Sequence, residues 1–345
     1  MPTVSIIIPC YNEEKTIHLL LEAISRQTYP VSEIEVVIAD GMSTDRTRSV
    51  IHNFQTLHPN LAIKVVDNVK KNIPAALNKA LDKAVGQYII RLDAHSAPAE
   101  NYVELCVRFL SEKKGDNVGG IWKIKPGANT LIGRAIAAAA ANPFGVGDAL
   151  YRFTSRPGYV DTVPFGSFSR ELFDKIGCFD ESLLTNEDYE FNTRLRLSGG
   201  KVYLDPQIQS DYYARSTLTS LSKQYWRYGF WKSQMLRRYP ATIRLRQALP
   251  PLFVLSIVFL TGLGLFFRLA WWVLFGGMVF YFFLLLLSAI PSARAQRDIR
   301  LLAVIPLAII TMHISWGAGL VWGLLYPILM KRRKLIIDDR VSTSQ

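Results

Sequence analysis

The chain has 345 residues, half of them hydrophobic, with a formal net charge of +12. That length allows two or three structural units, and the apolar content excludes a disordered chain. Cys10, Cys106 and Cys178 are too widely spaced for a metal pair or a redox motif, so reduced thiols are expected. The amino terminus lacks a basic segment followed by a long apolar one, so no secretory signal peptide is expected there.

The apolar run Val4-Ser5-Ile6-Ile7-Ile8, ended by Pro9, predicts a buried parallel strand. A helix is expected over 13–26, where Ile17, Leu20, Leu21 and Ile24 recur at helical spacing. Strand 35–39 follows, then a loop from Asp40 to Asp45 that caps a helix running through His52. Strand 62–66, a helix over 74–85 opened by Pro74, and strand 87–92 continue the alternation. This rhythm predicts a doubly wound, mostly parallel α/β sheet with helices on both faces. A helix over 99–110 and a strand over 118–124 extend it. Residues 126–164 are irregular, with a short helix over 135–141, and suit an active-site cover or an acceptor-side loop. Helices over 170–176 and 187–197 and a short strand over 202–204 complete this part.

The distribution of charge changes after that. Asp and Glu are missing between Asp211 and Asp298, while Arg215, Lys223, Arg227, Lys232, Arg237, Arg238, Arg244 and Arg246 crowd together. Lys and Arg gather on the cytoplasmic flanks of membrane spans. The charge is therefore read as a juxtamembrane signal, with a solvated helix face as the plainer alternative, and a nucleic-acid patch has no supporting motif. An amphipathic helix over 217–238 mixes Tyr225, Trp226, Tyr228, Phe230 and Trp231 with cations, which fits a membrane interface or an ordinary packed helix. Residues 248–267 and 269–290 are each long enough to cross about 30 Å of hydrocarbon, with only Arg268 between them. A third crossing over 301–330 would send Lys331-Arg332-Arg333-Lys334 to the outer side, against the positive-inside tendency. A broken or re-entrant element is therefore expected there, next to a polar tail over 335–345. The expected domains are 1–215, divided into a nucleotide-binding half 1–97 and an acceptor half 98–215, then 216–246 at the interface and 247–334 in the membrane.

Acidic residues stand just past the second and fourth strands, at Asp40 and Asp93, and at Glu187-Asp188 before a helix. Ligands of open α/β sheets bind beyond the carboxyl ends of strands. Pro9-Cys10-Tyr11-Asn12-Glu13 brings an aromatic and polar groups to such an end, where a nucleobase can pack. Asp40 is either a base or ribose acceptor or a turn residue, since Asp-Gly is a frequent turn. Asp93 and His95 alternate along an extended segment and can reach one ion, with chemistry suited to Mn²⁺ or Mg²⁺. Glu187 and Asp188 either complement the helix dipole or include a general base for a hydroxyl nucleophile. One base and one stabilised leaving group imply a single displacement with inversion.

The segments Ile8-Pro9-Cys10-Tyr11-Asn12-Glu13, Asp40-Gly41-Met42-Ser43-Thr44-Asp45, Arg91-Leu92-Asp93-Ala94-His95 and Asn186-Glu187-Asp188-Tyr189 resemble family 2 glycosyltransferases of GT-A fold. More narrowly, residues 142–147, 159–166 and 313–319 resemble the ExoA-type enzymes of bacterial succinoglycan assembly. The resemblance implies a metal-dependent, inverting transferase that moves a hexose, with glucose from UDP-glucose expected, onto a polyprenyl-diphosphate-linked saccharide in exopolysaccharide synthesis. A multi-pass protein of the bacterial inner membrane with a cytoplasmic catalytic domain follows, and no nucleic-acid partner. It implies that Asp188 is the base and that Asp93 and His95 hold the metal. Pro9, Tyr11, Glu13, Asp40, Asn72, Arg91 and Asp93 are expected around the donor nucleotide. Glu187, Gln224, Arg227 and Tyr228 are expected around the acceptor or diphosphate. His95 stands where the family has Asp, and Tyr228 stands where processive synthases have Trp, which argues against polymerisation. A polyprenyl-phosphate sugar transferase, a small processive synthase and a membrane-anchored nucleotide-binding scaffold are the alternatives.

Overall fold

The computed structural model describes residues 2–342, with side chains through Pro327. In chain order the first elements are β1 (Val4–Cys10), α1 (Ile17–Ser25), β2 (Ile34–Asp40), α2 (Thr47–Leu57), β3 (Ala62–Asp67), α3 (Ile73–Lys83) and β4 (Tyr88–Arg91). There follow β5 (Ala97–Pro98), α4 (Tyr102–Ser111), β6 (Asn117–Lys125), α5 (Leu131–Ala140), α6 (Pro143–Val146), β7 (Gly158–Tyr159), β8 (Ser167–Ser169), α7 (Glu171–Ile176), α8 (Glu187–Leu197) and β9 (Val202–Tyr213). Four helices close the chain: α9 (Leu218–Arg238), α10 (Leu245–Gly264), α11 (Arg268–Ala295) and α12 (Leu301–Ser342).

The chain divides into two compact units. The first, residues 1–125 and 149–212, carries the sheet. Among the described residues nine strands form one sheet in the order β3-β2-β1-β4-β8-β6-β9-β5, with β7 beside β9. Strands β1 to β4 are mutually parallel, and β8 runs antiparallel to β4 and to β6. The two faces are covered differently. Ile6, Ile8, Leu20, Leu21 and Val36 belong to one apolar cluster. Ile7, Val37, Leu77, Leu81 and Phe191 belong to the other. Adjacent strand residues thus feed opposite cores, as the period of two requires, and a central strand buried on both faces reads as a continuous apolar run.

The mixed α/β sheet expected from the sequence is present, with differences at its far end. Strand β9 runs over twelve residues, not three, and pairs with β5 and β7. Helix α1 starts at Ile17, not Glu13, because Asn12 takes a left-handed φ of 54° and the chain turns before entering the helix.

The second unit, residues 126–148 and 213–345, is helical. The irregular segment 126–148 belongs here and not with the sheet, which departs from the expected boundary at 215. Helix α5 lies in this unit, and Met312 of α12 comes within 3.2 Å of where a Cβ on Gly145 would sit. Arg134 of α5 pairs with Asp298 at 2.6 Å. Leu245–Gly264, Arg268–Ala295 and Leu301–Pro327 are long and apolar enough to cross a membrane. The expected break in the third element is not there: α12 is one continuous helix that includes Pro306. A proline six positions into a helix removes one backbone donor without ending the helix when neighbours cover it, and Pro306 is buried.

Candidate active site

The carboxyl ends of β1, β2 and β3 carry three loops that tie to one another. Asn12 donates its backbone N–H to Ser43 Oγ at 2.8 Å, and Thr44 returns one to Asn12 Oδ1 at 2.9 Å. Asn68 donates its backbone N–H to the carbonyl of Asp40 at 2.8 Å. Asn12, Met42 and Lys71 all adopt left-handed φ, near 54°, 60° and 54°. Three such non-glycine residues on adjoining loops mark a backbone that the surrounding bonds hold in place. Tyr11 lies across Gly41, where an added Cβ would meet its ring at 3.0 Å, so the aromatic face needs a residue without a side chain beneath it. The Tyr11 side chain is about half exposed at 47%, with the Lys71 ammonium 5.9 Å from the ring centre.

Asp40 sits differently from a residue that offers its carboxylate to a ligand. It is fully buried. Oδ1 accepts from Ser43 Oγ at 2.5 Å, and Oδ2 accepts from Arg48 Nε at 2.5 Å and from the Ser43 N–H at 3.1 Å. Both oxygens therefore shape the β2 loop. Asn72 likewise caps α3, its Oδ1 accepting from Ala75 N–H at 2.9 Å. Pro9 extends past the last β4 partner of β1, so its missing N–H costs the sheet no bond on that side.

The centre of the site forms around Arg91, the last residue of β4. Its Nη2 lies 2.9 Å from Glu187 Oε1 and 3.2 Å from Asp93 Oδ1. Residues nearly a hundred positions apart are thereby joined through one guanidinium. Arg91 and Glu187 are almost completely buried, at 6% side-chain exposure each, whereas Asp93 retains 26%. Arg91 Nε and Nη1 are buried without a hydrogen-bond partner. Such donors normally find an acceptor, so two nitrogens with unmet N–H groups beside an accessible carboxylate suit a site built to receive a ligand.

Burial pushes the pKa of Glu187 up, and Arg91 opposes that push while Asp188 adds to it. Burial also raises Asp188, again against the pull of Arg91, with Asp93 contributing repulsion. Burial alone would loosen the Arg91 proton, but Asp93, Glu187 and Asp188 outweigh it and hold the guanidinium charged. Asp93 and Asp188 are thus within electrostatic reach of one cation. His95 turns elsewhere: its Nδ1 lies 3.1 Å from Glu13 Oε1, linking the β4 loop to the β1 loop.

Helix α8 holds Asp188 in place through contacts on its other faces. Asn186 enters with a left-handed φ of 69°, so Glu187 and Asp188 open the first turn. Asn192 donates to Thr162 Oγ1 at 2.9 Å and accepts from Asn117 Nδ2 at 2.6 Å, a buried link to β6. Arg194 pairs with Glu190 at 2.7 Å and donates to the Cys178 carbonyl at 2.7 Å. These residues, with Arg48, Ser43 and Lys71, were not among the site residues expected from the sequence. Arg91 was expected, but as a donor-binding residue. A cation inside the apolar run Tyr88-Ile89-Ile90-Arg91-Leu92 was itself the signal for a pairing role, because a charge on a buried strand needs a partner.

Gln224, Arg227 and Tyr228 lie on α9 in the helical unit. Gln224 Nε2 donates to Tyr228 OH at 2.9 Å, and Arg227 is exposed.

Comparison with solved structures gives the fold. The mannosyltransferase PcManGT of Pyrobaculum calidifontis, solved with GDP-Man and Mn²⁺, matches over 94% of this chain and 87% of its own, with a TM-score of 0.68 at 20% identity. The fold is GT-A, with C-terminal helices beyond it.

A model of glycosyl transferase family 2 matches residues 5–177, and this chain belongs to that family. One relative is the dolichyl N-acetyl-alpha-D-glucosaminyl phosphate 3-beta-D-2,3-diacetamido-2,3-dideoxy-beta-D-glucuronosyltransferase of Methanococcus voltae. It is 33% identical over 273 residues, which is 77% of this chain and 84% of the relative. The succinoglycan biosynthesis protein ExoA of Rhizobium meliloti is 31% identical over 247 residues, 71% of this chain and 73% of ExoA.

Proposed function

We propose that this chain is an inverting hexosyltransferase that moves glucose from UDP-glucose to a saccharide on a polyprenyl diphosphate, at the cytoplasmic face of a bacterial inner membrane. The observation that carries the reading is the Arg91 cluster, which joins Asp93 to Glu187 beside the carboxyl end of β4, with the neighbouring Asp188 within its electrostatic reach. The acceptor class is supported by the Methanococcus voltae relative, whose name describes a dolichyl phosphate acceptor, and by ExoA. The exposed apolar helices α10 and α11 suit a lipid-borne substrate.

In this reading Tyr11 packs on the nucleobase, and Glu13 orients His95. Asp40 and Asn72 act through the loops they hold. Arg91, through Nη2, holds Asp93 and Glu187 beside the diphosphate. Arg227 offers a cation to an acceptor diphosphate, with Gln224 and Tyr228 fixing its neighbourhood. The acceptor hydroxyl oxygen bonds to the anomeric carbon while the bond from that carbon to the diphosphate oxygen breaks. The hydroxyl proton passes to Asp188, and UDP leaves with the bonding electrons. A base in this position contributes about 10²–10⁴-fold.

The residues fit a divalent cation that arrives with the nucleotide. Asp93 Oδ1 pairs with Arg91, and its other oxygen has no protein partner among the described residues. Among those residues no three His, Cys, Asp or Glu side chains assemble into a complete cage. A magnesium-type site needs only one or two carboxylates plus substrate phosphates. Asp93 would hold such an ion, which would neutralise charge on the departing diphosphate; His95, expected as a second ligand, is turned to Glu13 instead.

The test is a nucleotide-sugar screen with purified protein and a saccharide on a lipid diphosphate, with the product's linkage and anomeric configuration determined. A single added glucose of inverted configuration is expected. A polymer or a monosaccharide phosphate lipid would replace the reading with one of its rivals. Asp93→Ala is expected to lose Mn²⁺-dependent donor binding, and affinity equal to wild type with and without Mn²⁺ would remove Asp93 from that role.

A further inference from the structure

Helix α12 is as apolar as a membrane span, yet its surroundings differ from those of α10 and α11. Inside the most hydropathic stretch, 44% of α12 residues are buried by protein, against 6% in α10 and 11% in α11. What buries them is informative. The second half of α12 is clasped along α9. Ser222 and Ser315 share a hydrogen bond of 2.8 Å. A Cβ on Gly229 would sit 2.1 Å from the Trp316 carbonyl oxygen, and one on Gly319 would sit 2.3 Å from that of Trp226. One on Gly323 would sit 2.1 Å from Ser233 Oγ. Gln234 and Arg237 donate to the carbonyls of Gly323 and Leu324 at 3.1 and 2.9 Å. Ser315, Gly319 and Gly323 recur every fourth residue, a small-residue stripe that lets two backbones touch. From Ser222 to Arg237 the two helices run side by side in the same direction.

Helix α9 cannot lie in hydrocarbon. It carries Lys223, Arg227, Lys232, Arg237 and Arg238, and a single cation at a bilayer centre costs about 2.5–3.5 kcal/mol even on insertion scales. Its clasped partner must share its depth. The rest of α12 is tied to the second turn of α10 and to the middle of α11. Gly317 approaches the Pro250 carbonyl, where an added Cβ would be 2.4 Å away, and Tyr281, midway along α11, reaches His313 at 2.8 Å. Helix α12 starts at Leu301, shortly after α11 ends at Ala295. It therefore passes from the end of α11 to the start of α10. Its own exposed side chains, among them Leu307, Ile314, Trp322 and Leu325, are apolar.

We infer that α12 is not a third crossing but a helix lying along the cytosolic surface of the bilayer beneath the α10–α11 hairpin, with α9 as its partner and its exposed apolar stripe against lipid. The inference rests on the reading that the hairpin crosses a membrane from a cytosolic sheet-bearing unit. It also keeps Lys331-Arg332-Arg333-Lys334 on the cytosolic side.

The experiment uses full-length protein in sealed vesicles of known orientation and an impermeant maleimide. Native Cys178, which is exposed, reports the sheet-bearing unit, Leu265→Cys reports the hairpin turn, and Ser344→Cys reports the chain end. The expected result is labelling of 178 and 344 from one side and of 265 from the other. Labelling of 344 from the side of 265 overturns the inference and leaves the hairpin reading intact. Labelling of 265 and 178 from one side overturns both. Spin labels at Leu307→Cys, Ile314→Cys and Leu325→Cys, in active protein lacking Cys178, give an independent measurement. All three should lie shallow in one leaflet, and a label at 314 near the bilayer centre with 307 and 325 in opposite leaflets overturns the inference.

Discussion

The sheet-bearing unit and the α10–α11 hairpin are both built on apolar runs, and those runs end in opposite environments. Ile6, Ile7 and Ile8 are fully buried, whereas Phe266 is 81% and Phe275 62% exposed. In the first unit protein supplies the apolar surroundings, and buried carboxylates such as those of Asp40 and Glu187 are paired with a cation. In the hairpin the side chains need an external apolar solvent, and charge is confined to the ends. Burial in the structure therefore separates a core from a membrane segment where hydropathy alone does not.

That contrast can be broken or sharpened by substitution. The largest effect is expected at Asp188→Asn, with turnover reduced about 10²–10⁴-fold and donor affinity nearly unchanged. Wild-type turnover in that variant would take Asp188 out of the role of base. Ile7→Ala should cost about 2–5 kcal/mol in denaturant unfolding, since it opens a cavity in a closed core. Asn192→Ala should cost about 1–3 kcal/mol, because Asn117 and Thr162 lose their buried partner.

Arg91 gives a pH test. Its charge lowers the pKa of Glu187 and Asp188, so its loss raises both, and a base needed in ionised form then fails at higher pH. In Arg91→Met the acid limb of kcat should move to higher pH, and Arg91→Lys should restore part of the wild-type profile. An unmoved limb would mean that Arg91 acts only as a structural residue. The smallest effect is expected in the hairpin, where Phe266→Ala should stay within about 0.5 kcal/mol in detergent-solubilised protein. A core-sized loss there would mean that Phe266 packs against protein.

Much of the sheet was legible because β1, β2 and β4 are buried on both faces and read as largely apolar runs. Strand β9 was less legible. Val202, Leu204, Ile208 and Ser210 are buried at alternate positions, but Pro206 and the polar residues between them hide the period. The acidic stations were visible from their place after strands. Their roles were only partly so, since loop position does not tell whether a carboxylate such as that of Asp40 faces a ligand or its own loop. Arg48, which decides that for Asp40, stands eight residues away on the next helix. The continuity of α12 was obscured because Pro306 and its glycines suggest a break until α9 is known to fill the space beside them.

The glycine seam between α9 and α12 has a mechanical consequence. Where Gly229, Gly319 and Gly323 bring main chain against main chain, neither rod has room to roll or slide past the other. A tilt imposed on α9, which carries Gln224, Arg227 and Tyr228, would be transmitted whole to α12. The pair behaves as one keel, and anything that rocks it moves both helices together.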